Sequence, residues 1–140
     1  MKRKKLVPLP RLKQRLWDIF SIYIRRRDAD EYGNVKCISC PTVAHWKQGD
    51  AGHFKKRGKL GTFVDERNNH FQCKRCNHYM GGNESSYAVA LVRRYGPEIL
   101  EELERLSESR DKYTRDEYEV LIETYKKKVR DLDGFVFGAR

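Results

Sequence analysis

The chain has 140 residues, enough for one domain with a modest core. Charged residues make up 36% and hydrophobic ones 39%, which excludes wholesale disorder but leaves a core small enough to need a staple such as a structural metal. Thirty Lys and Arg against 20 acidic residues give a net charge of +10, so the expected partner is a polyanion, nucleic acid first and an anionic membrane surface second.

Residues 1–11 are basic, carry two prolines, and are predicted to form a flexible arm able to touch phosphates. Met-Lys-Arg-Lys-Lys resembles the start of a signal peptide, but Leu6-Val7-Pro8-Leu9-Pro10 is no apolar segment to follow it. No run approaches the roughly 20 apolar residues that span a bilayer. The expected setting is therefore reducing and cytoplasmic, with no membrane partner.

Residues 12–27 read as an amphipathic helix with Leu12, Leu16, Ile19, Phe20, Tyr23 and Ile24 on one face. Arg25, Arg26 and Arg27 crowd its C-terminal end, where cations suit the helix dipole. Residues 35–83 form the predicted core module. They hold all four cysteines and all four histidines and show weak periodicity, with strand-like runs only near Val43–Trp46 and Ala51–Phe54. Helical spacing returns over 84–95 with Tyr87, Val89, Ala90, Leu91 and Val92. Gly96-Pro97 breaks it, and a further helix is predicted over 97–107, with Ile99, Leu100, Leu103 and Leu106 inward. Thr114 and Glu117 make a capping box for a last helix to about 131, with Tyr118, Leu121, Ile122, Tyr125 and Val129 inward.

The strongest local signal is a pair of C-x-x-C knuckles, Cys37-Ile38-Ser39-Cys40 and Cys73-Lys74-Arg75-Cys76. Four thiolates suit a tetrahedral Zn²⁺ at about 2.3 Å each, and they close its coordination sphere, so the ion would be structural. The 32-residue gap between the pairs exceeds that of simple zinc ribbons and must hold structure of its own. Disulfides or unliganded core thiols are the alternatives.

Within and just beyond that gap, Gly52-His53-Phe54 is followed 15 residues on by Asn68, and nine residues later by Asn77, directly after Cys76. This series resembles the HNH (ββα-metal) endonuclease signature in an H-N-N form. The stretch Asn-Asn-His-Phe-Gln-Cys, residues 68–73, stands where HNH nucleases carry Asn-Leu-Gln-x-x-Cys. Further segments resemble the phage NinG/Rap recombination family: Leu16-Trp17-Asp18, His45-Trp46-Lys47, Gly49–Phe54, Asp65-Glu66-Arg67-Asn68 and Tyr95-Gly96-Pro97-Glu98-Ile99. That likeness covers roughly residues 12–130. It implies an α+β fold, a treble-clef HNH zinc core flanked by an N-terminal helix and two to three C-terminal helices. The domain plan is a basic arm over 1–11 and a single domain over 12–140.

The resemblance also implies an activity: metal-dependent hydrolysis of DNA phosphodiesters in branched recombination intermediates such as Holliday junctions and D-loops, inside a phage-infected or lysogenic bacterial host. His53 resembles the general base, a role open to a neutral imidazole with an ordinary pKa of about 6.5. Asn68 would orient that ring or a neighbouring backbone segment. Asn77 would offer an oxygen to Mg²⁺ or Mn²⁺. Many HNH enzymes place Asp directly before the catalytic His, and here that position is Gly52. Asp50, His78 and Asn83 are the remaining candidate ligands, although on a strand Asp50 would face away from His53.

Each residue also has a plainer reading. His53 would be a structural strand residue, Asn68 a turn former, Asn77 a helix cap. His45 is expected to pack in the hairpin and His70 to satisfy a local hydrogen bond. His78 would meet solvent, metal or phosphate. Lys55, Lys56, Arg57 and Lys59 form a glycine-punctuated basic loop next to His53, expected to contact phosphates, with Lys74, Arg75 and Arg25–Arg27 extending the track. Lys126–Lys128 read as a solvated helix face. Readout is expected to be of shape and backbone. Paired nicking of a junction would need a homodimer. The rival expectations are a non-catalytic zinc module that binds nucleic acid, and an RNA-binding protein.

Overall fold

A computed structural model describes the backbone over residues 4–138 and side chains over residues 4–134. The first helix, α1, spans Leu9–Arg27. It begins three residues before the sequence-based boundary. Pro8 is extended at the N-cap and Pro10 sits in the first turn, where its missing N–H has no helical partner to lose. Residues 9–11 of the expected arm are thus helical, and residues 1–3 lie outside the described residues. Leu12, Leu16, Phe20 and Ile24 are buried along the predicted stripe.

That stripe packs on α4, Arg115–Gly138, through Tyr118, Ile122 and Tyr125. Phe20 meets Tyr125 edge-on at 4.8 Å. The expected capping box opens α4: Thr114 Oγ1 accepts the Glu117 N–H and Glu117 Oε1 accepts the Thr114 N–H, both at 3.2 Å. The helix continues past residue 131 to Gly138.

Between these helices lie two small antiparallel sheets. β1 (Asn34–Lys36) pairs with β2 (Val43–His45), and β3 (Gly49–His53) pairs with β4 (Asn69–Cys73). The second register is regular throughout, from Gly49 opposite Cys73 to His53 opposite Asn69. β2 and β3 coincide with the strand-like runs. β4 was not foreseen, because Asn-His-Phe-Gln-Cys looks polar, yet all five residues are buried. Its side-chain nitrogens find partners within the fold: the Asn69 amide donates to backbone carbonyls of the preceding loop, and Gln72 Nε2 donates to Ser39 Oγ and Gly82 O, both at 2.8 Å, while Asn69 Oδ1 and Gln72 Oε1 are buried without a partner among the described residues.

After β4 the chain makes a π-helical turn, Arg75–Tyr79, then α2 (Glu84–Tyr95) and α3 (Ile99–Ser107). Tyr87 and Leu91 of α2 pack with Ile99 and Leu103 of α3 as a second apolar cluster. α3 starts two residues later than predicted, with Pro97 outside it, and Leu100 and Leu106 are only half-buried. Val89 of α2 faces solvent. The four cysteines form a third cluster, between the two sheets and the start of α2. The architecture is mixed α+β, as expected, with two separate apolar clusters and a sulfur-lined one.

Candidate functional site

Cys37 and Cys40 lie just after β1, Cys73 ends β4, and Cys76 lies in the π-helical turn. Their four sulfurs lie within 4.8 Å of one another, and Cys40 Sγ is 3.6 Å from Cys73 Sγ. A tetrahedron with arms of about 2.3 Å puts its sulfurs roughly 3.8 Å apart, so the set fits a structural metal such as zinc. The thiols are free of disulfides. Burial pushes Cys37 up to about 12, so its thiolate forms at neutral pH only with a cation to share the charge. Burial also raises Cys76. Burial acts in the same direction on Cys40, but hydrogen bonds from Thr42 and the neighbouring sulfurs outweigh it and bring that thiol down to about 6. Asn83 Nδ2 lies 3.5 Å from Cys76 Sγ and 3.4 Å from Ser39 O. Asn83 therefore supports the sulfur cluster and is spoken for there.

His53 ends β3. Its ring stands edge-on to Trp17 of α1 at 6.3 Å, and the Arg57 guanidinium lies over the same indole at 4.5 Å. Burial, then the positive charge of Arg57, lower the His53 pKa, so the imidazole is neutral at pH 7. Among the described residues its ring nitrogens have no hydrogen-bond partner. Trp17 is the residue the sequence reading left without a role. Its signal was an indole bordering an apolar helical stripe in a strongly basic chain.

Asn68 is buried, and its amide is fully used. Oδ1 accepts the Lys55 N–H at 2.8 Å, and Nδ2 donates to Lys55 O at 3.1 Å and Thr62 O at 3.2 Å. Of the two orienting roles considered for it, the geometry matches the backbone one: it fixes the loop directly after His53-Phe54. Tyr87, a second residue the sequence did not single out, braces the hairpin from α2. Its hydroxyl donates to Gly52 O at 2.7 Å and lies 3.3 Å from His70 Nδ1. A fully buried tyrosine hydroxyl needs a partner, and that requirement was the available clue.

Asn77 lies elsewhere. Its Nδ2 donates to Asp50 Oδ2 at 3.0 Å, and Lys74 Nζ holds Asp50 Oδ1 at 2.6 Å. Side chains alternate along a strand with about 3.3 Å of rise per residue. Asp50 and His53 therefore project from opposite faces of β3, roughly 10 Å apart. The bend that would bring them together is absent from the regular register. Burial raises the Asp50 carboxyl, but Lys74 and Asn77 more than offset this and its pKa is lowered. His78 is exposed beside this pair. The glycine before His53 has a steric reason. A Cβ on Gly52 would lie 1.9 Å from Gln72 Oε1, so aspartate cannot stand there while Gln72 ties the two knuckles together.

Of the two other histidines of the hairpins, one matches its expected role and one does not. His45 Nδ1 accepts the Lys47 N–H at 3.2 Å and caps the short 3₁₀ turn Trp46–Gln48, in keeping with a packed hairpin role. The His70 partners are not local: Tyr95 Oη lies 2.8 Å from Nε2, and Tyr87 is the other.

The basic residues divide sharply. Arg27 donates to Glu66 O at 2.8 Å and Asn69 O at 3.1 Å, Arg26 pairs with Asp133 at 2.5 Å, and Arg25 lies over Trp46 at 5.1 Å. These three serve the fold before any phosphate. Lys55 pairs with Glu104 and Lys59 with Glu108, so α3 and the residue that caps its C-terminus hold both ends of the basic loop. Among the described residues Lys56, Arg57 and Arg75 have no ion pair. Lys126 and Lys127 pair locally with Glu123 and Asp131, as a solvated face would, whereas Lys128 does not: it reaches Glu66 at 2.7 Å and lies over Tyr23 and Tyr125, tying α4 to the loop before β4.

Fold and cluster define a small α+β protein organised around two cysteine knuckles that could share a metal. The chain belongs to the NinG family: the family model described as "Bacteriophage Lambda NinG protein" matches residues 1–134. Over 111 residues, 79% of this chain, it is 37% identical to "Protein ninG" of Escherichia phage 933W and 36% identical to the proteins of that name from Escherichia phage lambda and Salmonella phage P22. The aligned region is 52% of each of those proteins, so the chain spans about half the length of the relatives it matches. No solved structure matches it. No helix among the described residues is long and apolar enough to cross a membrane.

Proposed function

We propose that the chain is an HNH-type, metal-dependent DNA endonuclease with a treble-clef zinc site, acting on branched recombination intermediates in the cytoplasm of a bacterial host. The supporting observation is His53: a neutral, half-buried imidazole at a strand end, with no internal hydrogen-bond partner among the described residues and Arg57 beside it. His53 takes a proton from the water that attacks phosphorus, the P–O bond to the leaving 3′ oxygen breaks, and that oxygen takes up a proton from solvent. Arg57 pairs with a non-bridging phosphate oxygen and stabilises the charge that builds there. Lys56 holds a neighbouring phosphate, and Asn68 keeps the loop that carries both cations in place. Cys37, Cys40, Cys73 and Cys76 would hold a zinc ion that supports the fold and, with four thiolate ligands, leaves no position for chemistry. Cutting both strands of a junction takes two such sites, so two copies act together.

The resemblance implies Mg²⁺ or Mn²⁺ as well. Asp50 and Asn77 do not fit an ion shared with His53. They lie on the other face of β3, and Lys74 already neutralises the carboxylate. No step here runs through such an ion. That separation favours the second reading, a zinc module that binds branched DNA without cutting it. Purified protein, with Mg²⁺ or Mn²⁺, is incubated with four-way-junction, duplex and single-stranded DNA beside His53→Ala. The endonuclease cuts and the variant does not. Equal cutting by both removes His53 from the mechanism, and tight binding with no cutting establishes the second reading.

A further inference from the structure

Tyr79 is 88% exposed and Met80 45%, and Tyr79 is the most exposed of the large apolar side chains among the described residues. They are neighbours at the tip of the second cysteine knuckle. Neither side chain is buried against the core.

The tip is rigid. The Met80 N–H donates to Arg75 O at 2.9 Å, the Gly82 N–H to Cys76 O at 2.8 Å, and the Asn83 N–H to Met80 O at 3.0 Å. The chain then turns back through three successive left-handed residues, Gly81 at φ +57°, Gly82 at +98° and Asn83 at +45°. Glycine suits two of these positions because it has no Cβ to clash. Cys76 anchors the base of the turn in the sulfur cluster. An aromatic and a thioether are thus displayed to solvent on a stapled scaffold, where a merely tolerated apolar residue would sit on a mobile loop.

Basic residues border the tip. Lys74, Arg75 and His78 are exposed on the same knuckle; Asp50 takes up Lys74, and Arg75 has no ion pair among the described residues. An exposed aromatic beside the free guanidinium of Arg75 fits a ligand with flat faces and negative charge, an unstacked nucleobase on its phosphate backbone. Apolar side chains also serve as wedges where base pairs part. An anionic membrane surface shares the charge but needs a broader apolar face than two side chains supply.

We propose that Tyr79 and Met80 form a base-stacking wedge that engages unpaired or parted bases where duplex arms meet. The inference rests on the reading that the partner is branched DNA, and it adds the contact that would tell a branch from a plain duplex. Its test is binding without added divalent cation, so that no strand is cut. A four-way junction carrying 2-aminopurine at the branch point is titrated with wild type, Tyr79→Ala, Tyr79→Phe and Met80→Ala, beside a fully paired duplex with the same label. Wild type is expected to quench the branch-point label. Tyr79→Ala should lose that quenching and about tenfold in junction affinity, with duplex affinity unchanged, while Tyr79→Phe keeps both. Equal quenching and affinity for Tyr79→Ala and wild type overturns the wedge even if junctions bind. Failure of wild type to bind any DNA overturns the parent reading instead. Co-sedimentation with phosphatidylserine vesicles that Tyr79→Ala abolishes, with DNA binding intact, assigns the tip to a membrane surface and overturns it too.

Discussion

Asn68 and Lys55 hold each other by a two-way hydrogen bond, the Asn68 side-chain oxygen accepting the Lys55 N–H and its amide donating to the Lys55 carbonyl. The pair closes the basic loop onto the end of the β3–β4 hairpin, and Thr62 O takes the amide's other hydrogen. Asn68→Ala leaves the Lys55 N–H and C=O short of partners at a part-buried site and takes one of two donors from Thr62 O. An unsatisfied buried group costs about 1–3 kcal/mol, and partial rehydration of the loop recovers some of it. The expected loss is about 3 kcal/mol, read as a fall in Tm, with cutting reduced because Arg57 is no longer held near His53. Asn68→Asp keeps the acceptor and loses the donor, so it should fall between wild type and Asn68→Ala. A melt unchanged in Asn68→Ala would sink this role.

The sulfur cluster should be worth more than any single side chain. Ala51, Leu60 and Phe63 anchor part of the segment between the knuckles in the α1–α4 core, but both ends of β4's knuckle and the turn after Cys76 depend on the sulfur cluster. Metal-binding free energy is folding free energy for such a segment. One zinc per chain is expected by elemental analysis. Chelation, or Cys76→Ser, should abolish protection of the β4 amides in hydrogen exchange while the α1–α4 pair, packed through Phe20 and Tyr125, retains part of its protection. Metal-free protein with fully protected β4 amides would refute the structural role.

His70 gives the fold an acid limit. Burial, then Arg27 and Arg94, hold its pKa down to about 3, against about 6.5 in the unfolded chain. Its hydrogen bonds agree with a neutral ring: Tyr95 Oη donates to Nε2, Nδ1–H donates to Tyr87 Oη, and Tyr87 donates onward to Gly52 O. The folded pKa is depressed, so the unfolded state binds the extra proton. Stability is therefore complete above pH 6.5 and falls as pH drops from there towards 3, by at most about 1.4 kcal/mol per pH unit from this group. Denaturant melts between pH 7 and 5 should show that slope in wild type, and a shallower one in His70→Gln. Parallel slopes would exclude His70 as the source.

Legibility in the sequence followed the kind of force at work. α1 and α4 were readable because their stripes repeat every helical turn and Thr114 and Glu117 mark a start; Pro8 and Pro10 disguised the first turn of α1 as arm. The knuckles were readable because thiolate chemistry demands that spacing. β4 was not, because its burial is sustained by partners such as Ser39, Tyr87 and Tyr95 that lie far away in sequence. The same holds for Asp50 and Asn77. Each looked like a ligand, and only the strand register shows that they bond one another on the face away from His53. The loop lysines read as phosphate contacts because Glu104 and Glu108 enter only once α3 folds back over them.

If His53 is the base, cutting must follow its deprotonation. Its pKa is lowered by burial first and by Arg57 second, so the rate should rise with pH through a midpoint below the ordinary 6.5 and then level off. Arg57→Gln removes the second cause. The proton then binds His53 more readily, and the acid limb of the pH–rate profile should move to higher pH. The plateau should also fall, by one to two orders of magnitude if the guanidinium stabilises charge on the phosphate. The two effects separate the roles: a lowered plateau with an unmoved midpoint would mean that Arg57 meets the phosphate without acting on His53. A moved midpoint with the plateau intact would confine Arg57 to tuning the imidazole. Trp17→Ala, which removes the indole that both side chains share, should reproduce the lower plateau through loss of position.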